Sequence, residues 1–418
     1  MAWKLRISRK SSNFAAQNVY HIKIETFNMN TVTINKDRIK YLLSLHKMTM
    51  DEFLSAVSKG LKTALTWEDI YCDTLPVNTL KRVDSVFKRG LFYYADPETP
   101  RISKSASVFF RKESFGSELN LGSRQRVREF EDLKMRLNTI SKMSDVALRR
   151  KLPICDEHSN PRDVAFTIRD KVLPEFTNVK RDFLKNFINK LGEQNVIVFE
   201  FVDTSNKKEK ANVDGFYLSP NAIVLKRRQD SFSREIFTLA HELGHYLLNQ
   251  EEIEEVDVVS FSRQDAPLSV VENWCNAFAF YLLIGKENAL LLDSISRFDG
   301  SNDYGHDLVK QISETTNISR LAIFTNLLLQ RKLSYDAYQN IKDEILDEIR
   351  ERDARKALQK EMDKLNGIKS QGRNPQPIQA EIVKDIFSVA LSSGVIGEQE
   401  YCKAMKIKPS EINAFRYL

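Results

Sequence analysis

Apolar positions along the chain recur with two different periods. Between Lys36 and about Ala95 they fall three or four apart: Ile39, Leu42, Leu43 and Leu45, then Met50, Phe53, Leu54 and Val57, then Leu80, Val83, Val86 and Phe87. That spacing lines up one face of a helix, so the stretch predicts several short helices in a compact module. Pro76 and Asn78 stand just before Thr79-Leu80-Lys81-Arg82-Val83, a plausible helix entry. Upstream, Tyr20–Phe27 and Thr31–Ile34 alternate with period two and predict short strands. The run Asp96-Pro97-Glu98-Thr99-Pro100 breaks both patterns and marks a boundary.

Beyond an irregular connector, Gln125 to Met143 reads as an amphipathic helix, as do Asp163–Leu173 and Arg181–Leu191. Val196–Phe201, rich in β-branched residues, and Ala222–Leu225 predict strands, with the polar stretch Asp203–Lys210 as a hairpin loop between them. Residues 233–249 and 270–284 are strongly apolar helices. Tyr335–Leu365 is a long helix laced with charges three or four apart, suited to solvent or to a partner helix. Residues 370–377 look like a linker, and 378–418 like a short helical tail. The expectation is an α+β chain, mostly helical with a small sheet. Its expected divisions are 1–96, a connector and helix over 97–150, a main domain over 151–369, and a tail over 370–418.

Composition narrows the class. The 418 residues carry 63 Lys and Arg against 57 Asp and Glu, but unevenly. Residues 1–150 hold 27 basic and 16 acidic side chains, leaving an acidic remainder. A basic N-terminal part hints at a polyanion, while the plainer reading is a solvated basic face. No apolar run reaches the ~18 residues a membrane span needs. The N-terminus lacks the apolar core of a secretory signal. The four cysteines, Cys72, Cys155, Cys275 and Cys402, lie far apart with no Cys-x-x-Cys. That speaks against a disulfide framework and fits a cytoplasmic protein.

The chemistry concentrates in Thr238-Leu239-Ala240-His241-Glu242-Leu243-Gly244-His245-Tyr246. On a helix, His241 and His245 share one face and can aim two imidazoles at one cation. Glu242, beside the first of them, is placed to take a proton from a water that the cation has acidified. Ile236, Leu239, Ala240, Leu243 and Leu247 anchor the helix in a core, with Ser233 a possible cap and Glu235 near the positive end. Gly244 weakens the helix, and its small size leaves room for a neighbour. The alternative is two unrelated histidines on a helix, a coincidence in a chain with six His. A catalytic zinc needs a third protein ligand. Glu272, a lone carboxylate opening an apolar helix, is one candidate, and His306 is another. A Glu in a first turn can also simply complement the helix dipole. Asn276, one turn after Glu272, is suited to a hydrogen bond that orients a ligand. Zinc fits a site of two His and one Glu, and manganese is also possible.

Together these residues resemble the ImmA/IrrE family of zinc metallopeptidases. In that family a His-Glu-x-x-His helix is followed by one reading roughly Glu-x-x-Ala-Asn-x-Phe-Ala-x-x-Leu-Leu. Here the second helix offers Glu272, Cys275, Asn276, Phe278, Ala279, Leu282 and Leu283, with Cys275 where Ala is usual. Val213-Asp214-Gly215-Phe216, Ala222–Leu225 and Ser319–Leu333 extend the likeness, with Asn326 where an Arg is often found. The resemblance implies a zincin-like core over about 160–340 and Glu272 as third ligand. It also implies an N-terminal helix-turn-helix module, here degenerate, over 36–96. The recognition segment of such a module, around Leu65–Asp73, carries Glu68, Asp69 and Asp73, unlike a good reader of the major groove. DNA binding is therefore an expectation separate from the peptidase chemistry.

The resemblance further implies a protein substrate, a DNA-binding repressor or antitoxin-like regulator. Such a substrate could add a strand at a sheet edge near Ala222–Leu225. Tyr246, Tyr281, Tyr304 and His306 are candidate oxyanion stabilisers. The competing reading is a non-enzymatic regulator or scaffold with a structural metal, against which Glu242 argues, because a structural site needs no base. An aminopeptidase is a third reading, and it lacks an identifiable amine-binding carboxylate.

Overall fold

The computed structural model describes residues 31–98, 119–203, 210–228, 232–251, 269–301, 303–366 and 376–412. The strand expected at Tyr20–Phe27 and most of the 101–125 connector lie outside them. The chain forms two compact units, Met1–Ile102 and Ser103–Leu418.

In the first unit, β1 (Thr31–Thr33) pairs antiparallel with β2 (Thr74–Pro76), Val32 opposite Leu75. Around this ribbon sit α1 (Asp37–Leu45), α2 (Met50–Ser58), α3 (Trp67–Ile70), α4 (Val77–Phe87) and α5 (Leu91–Ala95). The residues that set the helical period form the interior: Ile39, Leu42, Phe53, Leu80 and Val83 are fully buried, and Phe53 stacks on Phe87. Thr49 and Thr66 begin α2 and α3 with reciprocal capping boxes to Glu52 and Asp69. The acidic segment around Leu65–Asp73 is thus one helical turn leading into a strand.

The second unit opens with α6 (Leu121–Met143), α7 (Pro161–Val172) and α8 (Lys180–Glu193). Then come β3 (Ile197–Phe201), β4 (Gly215–Leu218) and β5 (Ala222–Lys226), in spatial order β3-β5-β4. β3 runs parallel to β5 and β4 antiparallel to it. Both faces of this small sheet are covered. Val198, Tyr217, Ile223 and Leu225 face one core; Phe199, Phe201, Phe216 and Val224 face another. Burial on both sides explains why these strands read as continuous apolar runs. β5 is therefore the central strand, and the expectation of a free edge at Ala222–Leu225 is wrong: its partners already occupy both sides, and β3 and β4 are the edge strands; nor does a hairpin join β3 to β5, because the two run parallel with β4 between them in sequence.

The first core is closed by α9 (Phe232–Leu248), α10 (Val270–Asp293), α11 (Asp303–Thr315), α12 (Arg320–Leu329) and the start of α13 (Tyr335–Leu365). α10 breaks at Gly285, whose φ of 80° suits glycine. The Arg169 guanidinium caps the Leu282 carbonyl at that break. The second core is closed by α6, α14 (Glu381–Ser392) and α15 (Glu398–Met405). The sequence divided residues 97–418 into connector, main domain and tail, yet from Ser103 onward they form one unit. The reason is the apolar face of the C-terminal helices: Ile386, Phe387 and Tyr401 pack with Phe130 and Leu137 against the sheet. Among the described residues no helix is long and apolar enough to cross a membrane.

Candidate metal centre

From Glu235 to Leu248 every residue of α9 is buried, so the helix that carries the motif runs through the interior. Its N-terminal end is held by Arg227, which lies 2.5 Å from Glu200 on β3 and 2.8 Å from Glu235 on α9. Two helices then approach closely. A Cβ on Gly244 would lie 3.0–3.1 Å from Cys275 Sγ, Cα and Cβ, so an added side chain would push α10 a few tenths of an ångström away from α9. Ser269 caps α10 by accepting the Glu272 N–H, which sets Glu272 in the first turn.

That contact brings the predicted ligands together. The ligand atoms of His241, His245 and Glu272 all lie within 4.8 Å of one another. The two Nε2 atoms are 3.1 Å apart. His241 Nε2 is 3.2 Å from Glu272 Oε2, and His245 Nε2 is 3.1 Å from Oε1. Asn276 lies where expected, its Oδ1 2.9 Å from His241 Nδ1. An amide oxygen only accepts, so Nδ1 carries a proton, and in the neutral ring Nε2 is the nitrogen left with a lone pair. Two imidazole nitrogens and two carboxylate oxygens thus converge on one point. A single proton cannot satisfy all of them, and Glu272 Oε1 makes no aligned hydrogen bond. A cation would satisfy the whole set, and a donor set of two His and one Glu is one that zinc or manganese accepts.

Glu242 sits on the neighbouring face of α9, against the edge strand β4. A Cβ on Gly215 would come within 3.1 Å of Glu242 Oε1, and the Tyr217 backbone N–H donates to the carboxylate. Its Oε2 is buried without a hydrogen-bond partner, an acceptor left for a water or a substrate proton. The site is 1–4 % exposed at His241, Glu242, His245 and Glu272. Burial pushes Glu242 up to about 8, helped by Glu272 and Asp214 and opposed by His241. Burial disfavours charge on the His241 ring, but the Glu272 carboxylate more than offsets this and carries it up to about 9. Burial likewise acts to raise Glu272, and the two imidazoles hold it well below the usual carboxylate range.

Of the other sequence candidates, His306 and Tyr281 are engaged elsewhere. His306 Nε2 bonds the Gly300 carbonyl at 3.0 Å, and its ring packs between Phe298 and Phe324. It is not part of the ligand cluster. The Tyr281 hydroxyl accepts from Gln330, and the Tyr246 ring lies under Arg150 at 3.8 Å. The Tyr304 side chain lies outside the described residues. Sequence reasoning missed the part of Gly215 and Tyr217 beside Glu242. The signal was present: an isolated Gly opening a strand marks close backbone approach.

Residues 197–322 match the family model Peptidase_M78, the IrrE N-terminal-like domain. The match runs from β3 through the metal helices to the first turn of α12. It supports the ImmA/IrrE resemblance and a metallopeptidase type of function for this stretch. No curated protein and no solved structure matches the chain.

Proposed function

We propose that the protein is a zinc-dependent endopeptidase that hydrolyses a peptide bond in a specific protein partner, a DNA-binding repressor or antitoxin-like regulator. The observation that carries the peptidase reading is the convergence of His241, His245 and Glu272, with the unpartnered Oε2 of Glu242 beside them. His241, His245 and Glu272 would hold the ion, and Asn276 fixes the His241 tautomer. A zinc ion bound there supplies Lewis acidity, polarising a carbonyl oxygen and lowering the pKa of water. Glu242 takes a proton from the attacking water and later returns it to the leaving amine nitrogen. The Tyr217 N–H keeps that carboxylate oriented toward the edge strand. The choice of a regulator as substrate rests on the family resemblance alone.

One observation favours a second reading. The four site residues are almost fully buried, as in a closed structural metal site. Two measurements separate the readings. Metal content by mass spectrometry is expected near one zinc per chain in wild type and in Glu242→Gln, and near none in His241→Ala. Mapping new protein N-termini in cells producing wild type or Glu242→Gln should then show a cut in one partner with wild type only. Metal bound normally with no new N-terminus would decide for the structural site.

A further inference from the structure

Every fourth residue of α9 from Arg234 to Glu242 faces the start of the edge strand β4. Arg234 Nε donates to Asp214 Oδ2 at 2.7 Å, just before the strand begins. A Cβ on Gly215 would meet Thr238 Cγ2 at 2.7 Å and Glu242 Cγ at 3.0 Å. The Tyr217 N–H donates to the Glu242 carboxylate. Thr238 therefore stands one turn before Glu242, on the same side of the helix, with its methyl group against Gly215.

The hydroxyl of Thr238 is out of place in such a packing contact. Thr238 is 1 % exposed, and its Oγ1 has no hydrogen-bond partner. It does not make the bond to the carbonyl four residues back that threonine inside a helix commonly makes. A valine would fill the same space without burying an unmet donor, so the hydroxyl works against stability where it stands. Nothing approaching from a groove can meet it, because Oγ1 is sealed from the surface. Its partner has to come from the interior. One turn on, Glu242 Oε2 is an acceptor in the same state, buried and without a partner. Tyr246, the next residue of the row, turns its hydroxyl away, towards the Leu152 backbone.

We infer that Thr238 is a positioning residue for Glu242, its hydroxyl donating to the Glu242 carboxylate in the working enzyme. Oγ1 takes the place of Cγ2 by a turn of about 120° at χ1, between rotamers that threonine populates in helices. That turn carries Oγ1 to the Gly215 side, where the Glu242 side chain lies. A carboxylate has about four acceptor positions, so Glu242 can take the Tyr217 N–H, the Thr238 O–H and still the proton of the attacking water. One donor lets a carboxylate swing. Two donors from different elements, β4 and α9, fix its plane and the direction in which it accepts. The inference rests on the peptidase reading, because Glu242 needs a fixed direction only if it handles a proton.

Thr238→Val and Thr238→Ser in the full chain separate this role from packing. Three quantities are read for each beside wild type: the thermal midpoint of chelator-stripped protein, zinc per chain after reloading, and the amount of the partner's new N-terminus in producing cells. Thr238→Val should melt at or above wild type, because it removes the unmet hydroxyl, and should hold zinc as wild type does. Its cutting of the partner should nonetheless fall about 10- to 100-fold. Thr238→Ser should melt below wild type, having lost the methyl against Gly215, and should cut close to the wild-type level. The more stable variant is then the inactive one, an opposition that a packing role cannot produce. Thr238→Val cutting as wild type does overturns the inference, as does a Thr238→Ser that fails to restore the cut. A Thr238→Val midpoint well below wild type also overturns it, because the hydroxyl would then be bonded in the resting fold. Loss of zinc in Thr238→Val does so too, by placing the effect in the metal ligands. A wild type that cuts nothing overturns the peptidase reading itself, and the inference with it.

Discussion

At the scale of single residues, the metal centre depends on side chains whose roles differ in kind. In the proposed function His241 would supply a lone pair, Asn276 would decide which nitrogen supplies it, and Glu242 would supply neither coordination nor orientation but a proton acceptor. Substitution separates these roles. His241→Ala removes a ligand and should abolish metal-linked stabilisation. In wild type that stabilisation is about 2.7 kcal/mol at free zinc about 100 times Kd, read as a rise in thermal midpoint on adding zinc. Asn276→Leu keeps all three ligands but frees the His241 ring to adopt the other tautomer. Its zinc affinity should fall by about 10- to 100-fold in a chelator competition. An unchanged affinity would mean that packing, not Asn276, orients the ring. Glu242→Gln should bind zinc as wild type does and lose turnover of its partner. Arg227 illustrates a structural role of comparable weight, because it lies fully buried between Glu200 and Glu235. Arg227→Met leaves two carboxylates buried without their cation, and denaturant unfolding should show a loss of about 3–5 kcal/mol.

At the scale of elements, the site is a contact between two helices, and a glycine sets their distance. Gly244→Ala gains about 1 kcal/mol of helix propensity on α9. It also places a methyl carbon about 3 Å from the backbone and side chain of Cys275. Overpacking of that kind costs about 1–3 kcal/mol, and it displaces the first turns of α10, where Glu272 sits. The expected outcome is a lower denaturation midpoint together with weaker zinc binding. A Gly244→Ala protein with improved stability and unchanged zinc affinity would show that α10 moves freely. This scale also shows what the chain's pattern could reveal. The His241 and His245 pair was legible because helical geometry turns a four-residue spacing into a shared face. Glu272 stood out as a charge opening an apolar helix, yet His306 was an open alternative until packing between Phe298 and Phe324 removed it. The order of the strands was not legible. Ala222–Leu225 and Gly215–Leu218 are both wholly apolar segments, and nothing in their local sequence says which is central. That is decided by β3 pairing in parallel with β5, a contact between segments 25 residues apart in register.

At the scale of the whole molecule, the second unit wraps a three-stranded sheet from both sides, and the two sides come from distant parts of the chain. One side holds the metal helices. The other is completed by residues 376–412, which a linker-like composition set apart from the main domain. Glu200 ties this segment down directly, accepting the N–H groups of Ile378 at 3.0 Å and Gln379 at 2.7 Å. Removing residues 376–418 would expose the outer faces of Phe199, Phe216 and Val224 and leave Glu200 without those donors. Ile386, Phe387 and Tyr401 alone would give up about 1.5–3 kcal/mol each. That sum approaches the whole stability of an ordinary domain, about 5–15 kcal/mol. Chain 1–375 should therefore fail to melt cooperatively and should not retain zinc, although no metal-centre residue has been touched. Residues 103–418 alone should melt cooperatively and bind zinc like the full chain, because their cores are complete within that unit. Circular dichroism melts and metal content on the two truncations check both expectations. A cooperative, zinc-binding 1–375 would show that one covered face is enough to hold the metal helices, and that the C-terminal helices serve something other than the fold of the centre.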